Sequence, residues 1–209
     1  MKTPLAPKTR KGQATKQKMI KVAAHLMHKN GVNATTVNDV LEHSRTGKSQ
    51  FSHYFGSKDS LIAEVIDFHV QTMVARPIEI INGMEGLEDL CKLVEFYLER
   101  QEEFLESFNG GCPIGQISLE LQGSHTVLRH RIENAFKSVK DALAAKLLQL
   151  QAEGKLNAEI PTDEVSQFFL ASMEGGCLLS KTSQSTAPLR VVMQHFCTYL
   201  RSFLVVPAS

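Results

Sequence analysis

Residues 31–58 read GVNATTVNDVLEHSRTGKSQFSHYFGSK, and this stretch carries the signals that decide the fold. Thr36 offers a side-chain oxygen that can cap a helix, and Asp39 stands three residues later, where the acid of a capping box belongs. The spacing predicts a short helix from Thr36, a break at 44–46 and a second short helix over about 46–52. Two short helices joined by a tight turn predict a helix-turn-helix unit.

The triplet Gly47-Lys48-Ser49 also matches the end of a nucleotide-binding phosphate loop, which the surrounding residues exclude. Such a loop needs a glycine five residues before Gly47, but the chain has Glu42 there, and a carboxylate would repel phosphates. The loop must also follow a buried strand, whereas residues 36–43 space their apolar side chains like a helix. A nucleotide is therefore not predicted as the ligand of this segment.

Longer helices are predicted on both sides of the two short ones. Residues from about 13 to 29 place apolar side chains on one face, and Gly31 follows where a C-terminal cap belongs. Ser57 can cap a fourth helix, which Pro77 ends or kinks. The N-terminal part of the chain is therefore predicted to consist of helices alone.

The second short helix is polar on the side away from Phe51, which predicts a surface for the major groove of DNA. Its polar side chains suit base edges and phosphates, and the residues beside it would flank the groove as phosphate donors. The candidates are Thr46, Lys48, Ser49 and Gln50 on the helix, with His53, Tyr54 and Lys58 beside it. Phe55 is predicted to be a core residue.

The formal charge is divided unevenly along the chain. Residues 1–60 carry eleven Lys or Arg and three Asp or Glu, a net charge of +8, so that the rest carries −7 within a total of +1. A basic N-terminal part on an acidic body predicts a polyanionic partner for the N-terminal part alone. A solvated basic tail without a partner is the alternative that charge by itself leaves open.

The remaining sequence predicts further helices and no membrane span. The ranges are 87–108, 113–122, 125–153, 162–181 and 188–205. No apolar run reaches the roughly 18 residues that would cross a bilayer, and no signal-peptide pattern follows the basic N-terminus, so the protein is expected in the cytoplasm. The four cysteines form no C-x-x-C pair, and neither a metal site nor a cofactor is predicted. The fold class is all-α, with a small three-helix domain on a larger helical body.

The segment from about 14 to 74 resembles the N-terminal domain of TetR-family transcriptional regulators. The matching residues are Ala23-Ala24, Gly31, Thr35-Thr36-Val37, Asp39-Val40, Lys48, Phe51, Tyr54-Phe55, Ser57-Lys58 and Leu61-Ile62. The resemblance implies a three-helix DNA-binding domain, a linking fourth helix and a ligand-binding body that dimerises through its last two helices. The phosphate-contacting residues that it implies are Thr36, Lys48, His53, Tyr54 and Lys58.

Three positions depart from the residues that are usual in the family. Arg45 stands where glycine is usual in the turn, which either adds a DNA contact or strains a turn that favours positive φ. Ser49 replaces a common glycine and so supplies a side chain for base contact. Ser52 stands where a tyrosine usually reaches a phosphate, and no contact is assigned to it. The implied domains are a basic tail (1–13), a DNA-binding domain (14–74, with its helix-turn-helix at 36–55) and a ligand-binding and dimerisation domain (75–209).

Residues 110–121, GGCPIGQISLEL, resemble the start of the sixth helix in the branch of the family that includes lincomycin-resistance-type repressors. Cys112 would sit at a helix N-terminus, where the dipole and free amides favour a thiolate. Two interpretations of Cys112 stay open: a sensor of electrophiles or oxidants, and a small residue that packs near the pocket. The family's inducer pocket is surrounded by the helices that correspond to this region, and aromatic and aliphatic lining favours a flat apolar ligand. The candidate lining residues are Phe96, Tyr97, Phe104, Phe108, Cys112, Ile114, Ile117, Phe136 and Met173.

The last two predicted helices are candidates for a homodimer interface. Gly175 and Gly176 remove side chains from one face of the first of them, so that another helix can approach closely. The apolar residues that would complete a four-helix interface across a two-fold axis are Phe168, Leu179, Val192, Phe196, Tyr199 and Phe203.

These features predict a homodimeric repressor that binds a palindromic operator in double-stranded DNA and is released by a small apolar inducer. A repressor that senses electrophiles or oxidants through Cys112 is the alternative that keeps the same DNA-binding domain. An all-α enzyme or interaction module without DNA binding is the alternative from another class. The body has no recognisable Ser-His-Asp set or paired carboxylates, so no enzymatic activity is predicted.

Overall fold

The computed structural model describes residues 9–92, 94–95, 98, 111–121 and 125–205.

The first helix is bounded by caps at both ends. Helix α1 (Arg10–Asn30) begins after Thr9, whose hydroxyl oxygen accepts the Gly12 N–H at 3.1 Å. It ends at Gly31, which adopts a φ of 93° and donates its N–H to the Met27 carbonyl. The cap predicted at Gly31 is therefore confirmed, and it uses the backbone freedom that only glycine has there.

Helix α2 (Val37–Ser44) begins at the predicted capping box. The Thr36 hydroxyl oxygen accepts the Asp39 N–H at 3.2 Å, and the Asp39 carboxylate accepts the Thr36 N–H at 2.7 Å. Two of the helix's free N–H groups are satisfied in this way, which fixes its first residue.

Helix α3 (Lys48–Tyr54) begins two residues later than predicted and also ends later. The reason lies at the end of α2, where Arg45 is left-handed and Thr46 donates its N–H back to the Leu41 carbonyl at 3.0 Å. This bonding closes α2, so Thr46 belongs to the turn and Gly47 takes the cap position of α3.

The fourth helix does not end at Pro77. Helix α4 (Lys58–His69) starts at the predicted Ser57 cap, continues into a π turn (Val70–Val74) and is followed by α5 (Ala75–Gly83). Proline has no N–H, and its ring crowds the carbonyl four residues earlier, so a regular α-helix is disfavoured at this point. The wider π turn ends three residues before Pro77 and relaxes the regular helical hydrogen bonding in the residues that precede the proline.

The rest of the described chain is also helical. Helix α6 begins at residue 87 and includes residues 88–92, 94–95 and 98, and the remainder of the predicted 87–108 helix lies outside the described residues. Helices α7 (Pro113–Glu120), α8 (Thr126–Ala152), α9 (Thr162–Ser183) and α10 (Ala187–Arg201) follow. The last helix ends at Arg201 rather than near 205, because Leu204 instead forms an isolated antiparallel bridge with Leu156. No strand occurs in the described ranges, and the fold is all-α, as predicted.

The contacts divide the chain into two compact units. The first contains Met1–Thr72 and Pro113–Glu133, so helix α7 packs with the N-terminal helices, against α1 and α4. Its core consists of apolar side chains from α1, the helix-turn-helix and α4, among them Met19, Ile20, Met27, Val40, Phe55, Leu61 and Ile66. Phe55 is 1% exposed, which confirms that it is a core residue.

The second unit contains Met73–Cys112 and Asn134–Ser209. Helices α9 and α10 pack closely at Gly176, where a Cβ would lie 2.9 Å from the Leu189 Cδ1 and 3.0 Å from the Leu189 Cα. Leu90, Leu143, Leu147, Phe196 and Leu200 are among the buried residues of this core.

Candidate nucleic-acid interface

The turn of the helix-turn-helix is built on Arg45, which adopts φ 54° and ψ 50°. A side chain in this left-handed conformation costs roughly 1 kcal/mol relative to glycine, so the strain predicted for this position is present. The guanidinium side chain is exposed and is carried beside the recognition helix α3. The same conformation therefore strains the turn and presents a cation just before α3.

The two hydroxyl groups around Arg45 hold the turn together. The Ser44 and Thr46 hydroxyl oxygens lie 2.6 Å apart, and Ser44 is completely buried. Thr46 is half-buried, and its hydroxyl group is engaged in this contact within the turn. The DNA contact predicted for Thr46 stays a prediction.

Helix α3 presents a polar face. Lys48, Ser49, Gln50 and His53 are exposed, whereas Phe51 and Tyr54 are buried. This division places the predicted base- and phosphate-contacting side chains on the solvent side of the helix. Tyr54 instead stands edge-on to His53 and Phe55 with ring centroids 5.3 and 6.3 Å away, so most of its ring belongs to the core.

Gln50 has a structural role in addition to the predicted reading of bases. Its Oε1 accepts the Gly47 N–H at 3.1 Å, which satisfies one of the free amides at the start of α3. The NH₂ group of the same side-chain amide is a hydrogen-bond donor. A bidentate contact to adenine needs both the oxygen and the NH₂ group, so Gln50 must release the cap to make one.

Two further residues predicted to contact phosphates form hydrogen bonds within the protein. The Lys58 ammonium donates to the Val32 carbonyl at 2.7 Å, which uses one of its three N–H donors. The Thr36 hydroxyl donates to the Asp39 carboxylate at 2.7 Å, and these hydrogen bonds with Thr36 are the main reason that the pKa of Asp39 is lowered. Asp39 is thus held as a charged carboxylate at the start of α2.

One element next to this surface escaped sequence reasoning. The Glu120 Oε2, at the end of α7, accepts the Asn33 N–H at 2.9 Å in the loop between α1 and α2. A Cβ on Gly31 would lie 2.9 Å from the Glu120 Oε1. The sequence predicted Gly31 as a helix cap. Helical periodicity does not indicate that Glu120, 89 positions later, would pack against it.

The candidate ligand-lining residues are distributed over both units and beyond the described residues. Ile114 and Ile117 are buried in the core of the first unit, and Phe136 and Met173 are half-buried in the second. Phe96, Tyr97, Phe104 and Phe108 lie outside the described residues. Their role in a pocket stays a prediction.

Cys112 precedes α7, at the predicted helix N-terminus, and is half-buried. Its thiol forms a hydrogen bond with the carboxyl group of Glu174 on α9. Burial raises the pKa of Glu174, and this hydrogen bond partly opposes the effect. Within the described part of the chain, the Glu174 Oε1 is buried without a hydrogen-bond partner. Sequence reasoning missed Glu174, because a single acid on a helix carries no sign of its burial.

The candidate dimer residues separate into exposed and internal ones. Phe168, Leu179 and Tyr199 are large exposed apolar residues, as are Leu178 and Val191, which sequence reasoning missed. Gly175 is exposed with nothing within 4 Å of an added Cβ, whereas Val192 and Phe203 are half-buried.

Two of the dimer candidates are corrected by the structure. Phe196 is 1% exposed, with its ring centroid 5.9 Å from that of Phe168 and 5.0 Å from that of Phe169. It belongs to the chain's own core and has no surface for a second chain. Gly176 is likewise internal, because its missing side chain makes room for Leu189 of α10.

Among the described residues, no group of three or more His, Cys, Asp or Glu is arranged to hold a metal ion. None of the described helices combines the length and apolar character needed to span a membrane.

Two family models match the chain. Residues 19–65 match the bacterial regulatory proteins of the tetR family, and residues 86–196 match the tetracyclin repressor-like C-terminal domain. An uncharacterised HTH-type transcriptional regulator of Mycobacterium tuberculosis is 30% identical over 86% of this chain and 91% of its own length. The HTH-type transcriptional regulator LmrA of Bacillus subtilis is 25% identical over 84% of this chain and 90% of its own length.

Solved structures share the fold. A TetR transcriptional regulator from Chloroflexus aurantiacus superimposes with a TM-score of 0.81 at 22% identity, covering 94% of this chain and 98% of that one. A cysteine variant of the TetR-family regulator CifR, solved with 26 bp double-strand operator DNA, gives a TM-score of 0.77 at 15% identity over 95% of this chain and 100% of that one. The two family models and the M. tuberculosis relative establish that this chain belongs to the TetR family of helix-turn-helix transcriptional regulators, which are not enzymes.

Proposed function

We propose that the protein is a homodimeric repressor that binds a palindromic operator in the cytoplasm and is released by a small, largely apolar inducer. The observation that carries the proposal is the polar face of α3, where Lys48, Ser49, Gln50 and His53 are exposed while Phe51 is buried. Arg45 adds an exposed cation at the turn before this helix. Such a face supplies donors for phosphates and base edges together, which is what a recognition helix requires.

The proposed dimer is supported by exposed apolar side chains on the last two helices. Leu178 and Leu179 of α9 and Val191 and Tyr199 of α10 are each at least 40% exposed. A second copy of the same helices would remove these side chains from water, and a two-fold axis would make the contact self-complementary. Two DNA-binding domains related by that axis would enter successive major grooves, about 34–36 Å apart.

The proposed domain organisation assigns DNA binding to residues 14–74 and ligand binding and dimerisation to 75–209. In the ligand-binding part, the half-buried Phe136 and Met173 support an apolar inducer. The buried Glu174 carboxyl group favours a molecule that also carries one hydrogen-bond donor. An inducer of this kind would be mainly hydrocarbon, with a single polar group.

The proposed induction is a coupling between two binding events. An inducer that weakens operator binding a hundredfold must favour the DNA-incompetent state by about 3 kcal/mol. Operator DNA must then weaken inducer binding by the same factor. This reciprocity does not depend on how the signal travels through the protein.

The test is a selection of operators from a randomised duplex library with the purified protein. We expect an enriched palindrome whose half-sites are about one helical turn apart, bound by two chains. Inducers are then found by screening apolar compounds for release of that operator, and their affinity is measured with and without saturating operator. Failure to enrich any sequence over random duplex would refute the proposal, and equal affinities would rule out coupling for that compound.

A second candidate is a repressor that senses electrophiles through Cys112. It is favoured by the half-buried thiol at the start of α7 and by its hydrogen bond with the Glu174 carboxyl group, which could take up the thiol proton. The Cys112→Ser variant distinguishes the candidates. If the variant loses the response to electrophiles but keeps induction by an uncharged apolar compound, the thiol is the sensor. If it changes neither response, Cys112 is a packing residue.

A further inference from the structure

The second unit contains a pair of cysteines in mutual contact. Cys91 of α6 and Cys197 of α10 are 2% and 5% exposed, and their thiols are joined by a hydrogen bond. They are 106 positions apart in the sequence and no local motif links them. The proposed regulator uses neither thiol for binding DNA or an inducer.

The pair lies beside a hydrogen-bonded ion pair that connects the same two helices. The Arg201 Nε and one terminal nitrogen donate to the two carboxylate oxygens of Glu88, both at 2.8 Å. Glu88 is one helical turn before Cys91, and Arg201 is one turn after Cys197, so each helix presents its thiol and its charge on one face. This fork-like contact joins α6 and α10 one helical turn away from the two sulfur atoms.

The ion pair lies at the surface, next to the buried thiols. The side chains of Arg201 and Glu88 are 44% and 54% exposed, one turn away from the buried sulfurs. A small neutral oxidant that enters beside this ion pair is one helical turn from the sulfurs.

The two thiols are not equivalent. The hydrogen bond from Cys197 lowers the pKa of Cys91, and the Arg201 guanidinium lowers it further, although burial and the nearby Glu88 and Glu95 carboxylates oppose this effect. The same hydrogen bond, together with burial, raises the pKa of Cys197. Cys91 is therefore the thiol that loses its proton first and acts as the nucleophile. By contrast, burial raises the pKa of Cys177 to about 12, which makes that thiol unreactive.

We propose that Cys91 and Cys197 are a peroxide-reactive dithiol that closes to an intramolecular disulfide between α6 and α10. The Cys91 thiolate attacks one oxygen of hydrogen peroxide, the O–O bond breaks, and the product is a sulfenic acid with release of the first water after protonation. The Cys197 sulfur then attacks the Cys91 sulfur, the S–O bond breaks, and the hydroxide leaves as a second water with the Cys197 proton. Two thiols lose two electrons, peroxide gains them, and the sulfurs move from hydrogen-bond contact to about 2.05 Å.

The experiment treats the reduced full-length protein with stoichiometric hydrogen peroxide at low protein concentration. The reaction is quenched with catalase, free thiols are alkylated under denaturing conditions, and disulfide-linked peptides are mapped by mass spectrometry. We expect a mass loss of about 2 Da before alkylation, two alkylated thiols at Cys112 and Cys177, and one linked pair of peptides that contains Cys91 and Cys197. A thiol reductant should restore all four thiols.

The C112S/C177S double variant is the matched control, because it contains the pair alone and should oxidise at the rate of the unmodified protein. C91S and C197S should each abolish the linked peptides, and circular dichroism verifies that they fold. The proposal is overturned if Cys91 and Cys197 stay alkylatable while Cys112 is oxidised, or if the disulfides that form involve Cys112 or Cys177. It is also overturned if the double variant forms no intramolecular bond.

Discussion

The Glu120 carboxylate accepts the Asn33 N–H at 2.9 Å and thereby joins the end of α7 to the loop between α1 and α2. Gly31 lies against the same carboxylate with a φ of 93°, so the contact depends on a residue without a Cβ. The N-terminal compact unit therefore includes a packing partner from residues 113–120, a segment that matches the C-terminal family model.

Gly31→Ala should destabilise the protein by about 2 kcal/mol, from strain at positive φ and displacement of Glu120. Glu120→Ala should cost about 1 kcal/mol, because the Asn33 N–H loses an acceptor at an exposed site. The double variant should cost less than both together, because without Glu120 the added methyl meets no carboxylate. Urea denaturation followed by circular dichroism measures all three. Additive costs would show that Gly31 and Glu120 are energetically independent.

Lys48→Ala should weaken binding to every DNA sequence and reduce the slope of log affinity against log salt by about one. The loss of one phosphate contact affects specific and random duplexes alike. Fluorescence anisotropy at several salt concentrations measures both quantities. The matched control is Lys21→Ala, which removes an exposed lysine of α1 outside the predicted interface. An unchanged affinity and slope for Lys48→Ala would mean that Lys48 does not contact the backbone.

Gln50→Glu should change which operator is preferred while leaving the fold intact. A glutamate at this position keeps an oxygen for the Gly47 N–H, which Gln50 now holds at 3.1 Å, so helix α3 keeps its cap. It loses the NH₂ donor that a contact to adenine needs. We expect thermal stability to stay within about 0.5 kcal/mol of the unmodified protein.

This prediction is tested by repeating the operator selection with the Gln50→Glu variant. A shift at one symmetric pair of base positions supports base reading by Gln50. Weaker binding with the same consensus would instead place Gln50 in the cap alone.

His69 should make the protein less stable in acid. Burial, together with the nearby His28, lowers the pKa of His69 from 6.5 to about 4, so the folded protein holds the ring neutral. The stability from this group is complete above pH 6.5 and is lost as the pH falls from 6.5 towards 4, by about 3 kcal/mol in all. Urea denaturation at pH 7.5, 6 and 5 should show a smaller pH dependence for His69→Phe. An unchanged pH dependence in His69→Phe would contradict this prediction.

Leu179→Lys should dissociate the proposed dimer and abolish operator binding at the same time. Leu148 provides a matched control, because Leu148 of α8 and Leu179 of α9 are both 56% exposed. A lysine in an apolar interface would be buried without a partner, whereas a lysine on a free surface would be hydrated. Sedimentation at micromolar concentration should give a monomer for Leu179→Lys and a dimer for Leu148→Lys. A dimeric Leu179→Lys protein would remove α9 from the interface.

The local features of the N-terminal domain could be predicted because they depend on neighbouring residues. The Thr36–Asp39 box, the Gly31 cap and the Ser57 cap are each specified within four positions of the chain. The predicted start of α3 was wrong because the turn before it contains an unexpected residue. Arg45 adopts the left-handed conformation that glycine usually adopts in such turns. Its residue type therefore gives no sign that the turn extends to Thr46.

Whether an apolar residue packs in the chain's own core or lies exposed on its surface could not be predicted. Phe196 and Leu179 both lie on apolar stripes of helices, yet one is in the core and the other is exposed. Periodicity identifies the stripe, but it does not say whether the stripe meets the same chain or another one. The contact between Cys91 and Cys197 is of the same kind, because it depends on how distant helices are aligned.

The left-handed backbone at Arg45 determines which amino acids the chain can tolerate there. Glycine, asparagine and aspartate adopt φ values near 54° readily, whereas valine and isoleucine crowd their own backbone in this region. Proline is excluded, because its ring fixes φ near −65° and it lacks the N–H that Arg45 donates to the Glu42 carbonyl at 3.0 Å. A variant library at position 45 would therefore be depleted of β-branched residues and proline, even under selection for stability alone. Arginine is retained against a small backbone penalty, so its side chain is where a benefit to DNA binding should be sought.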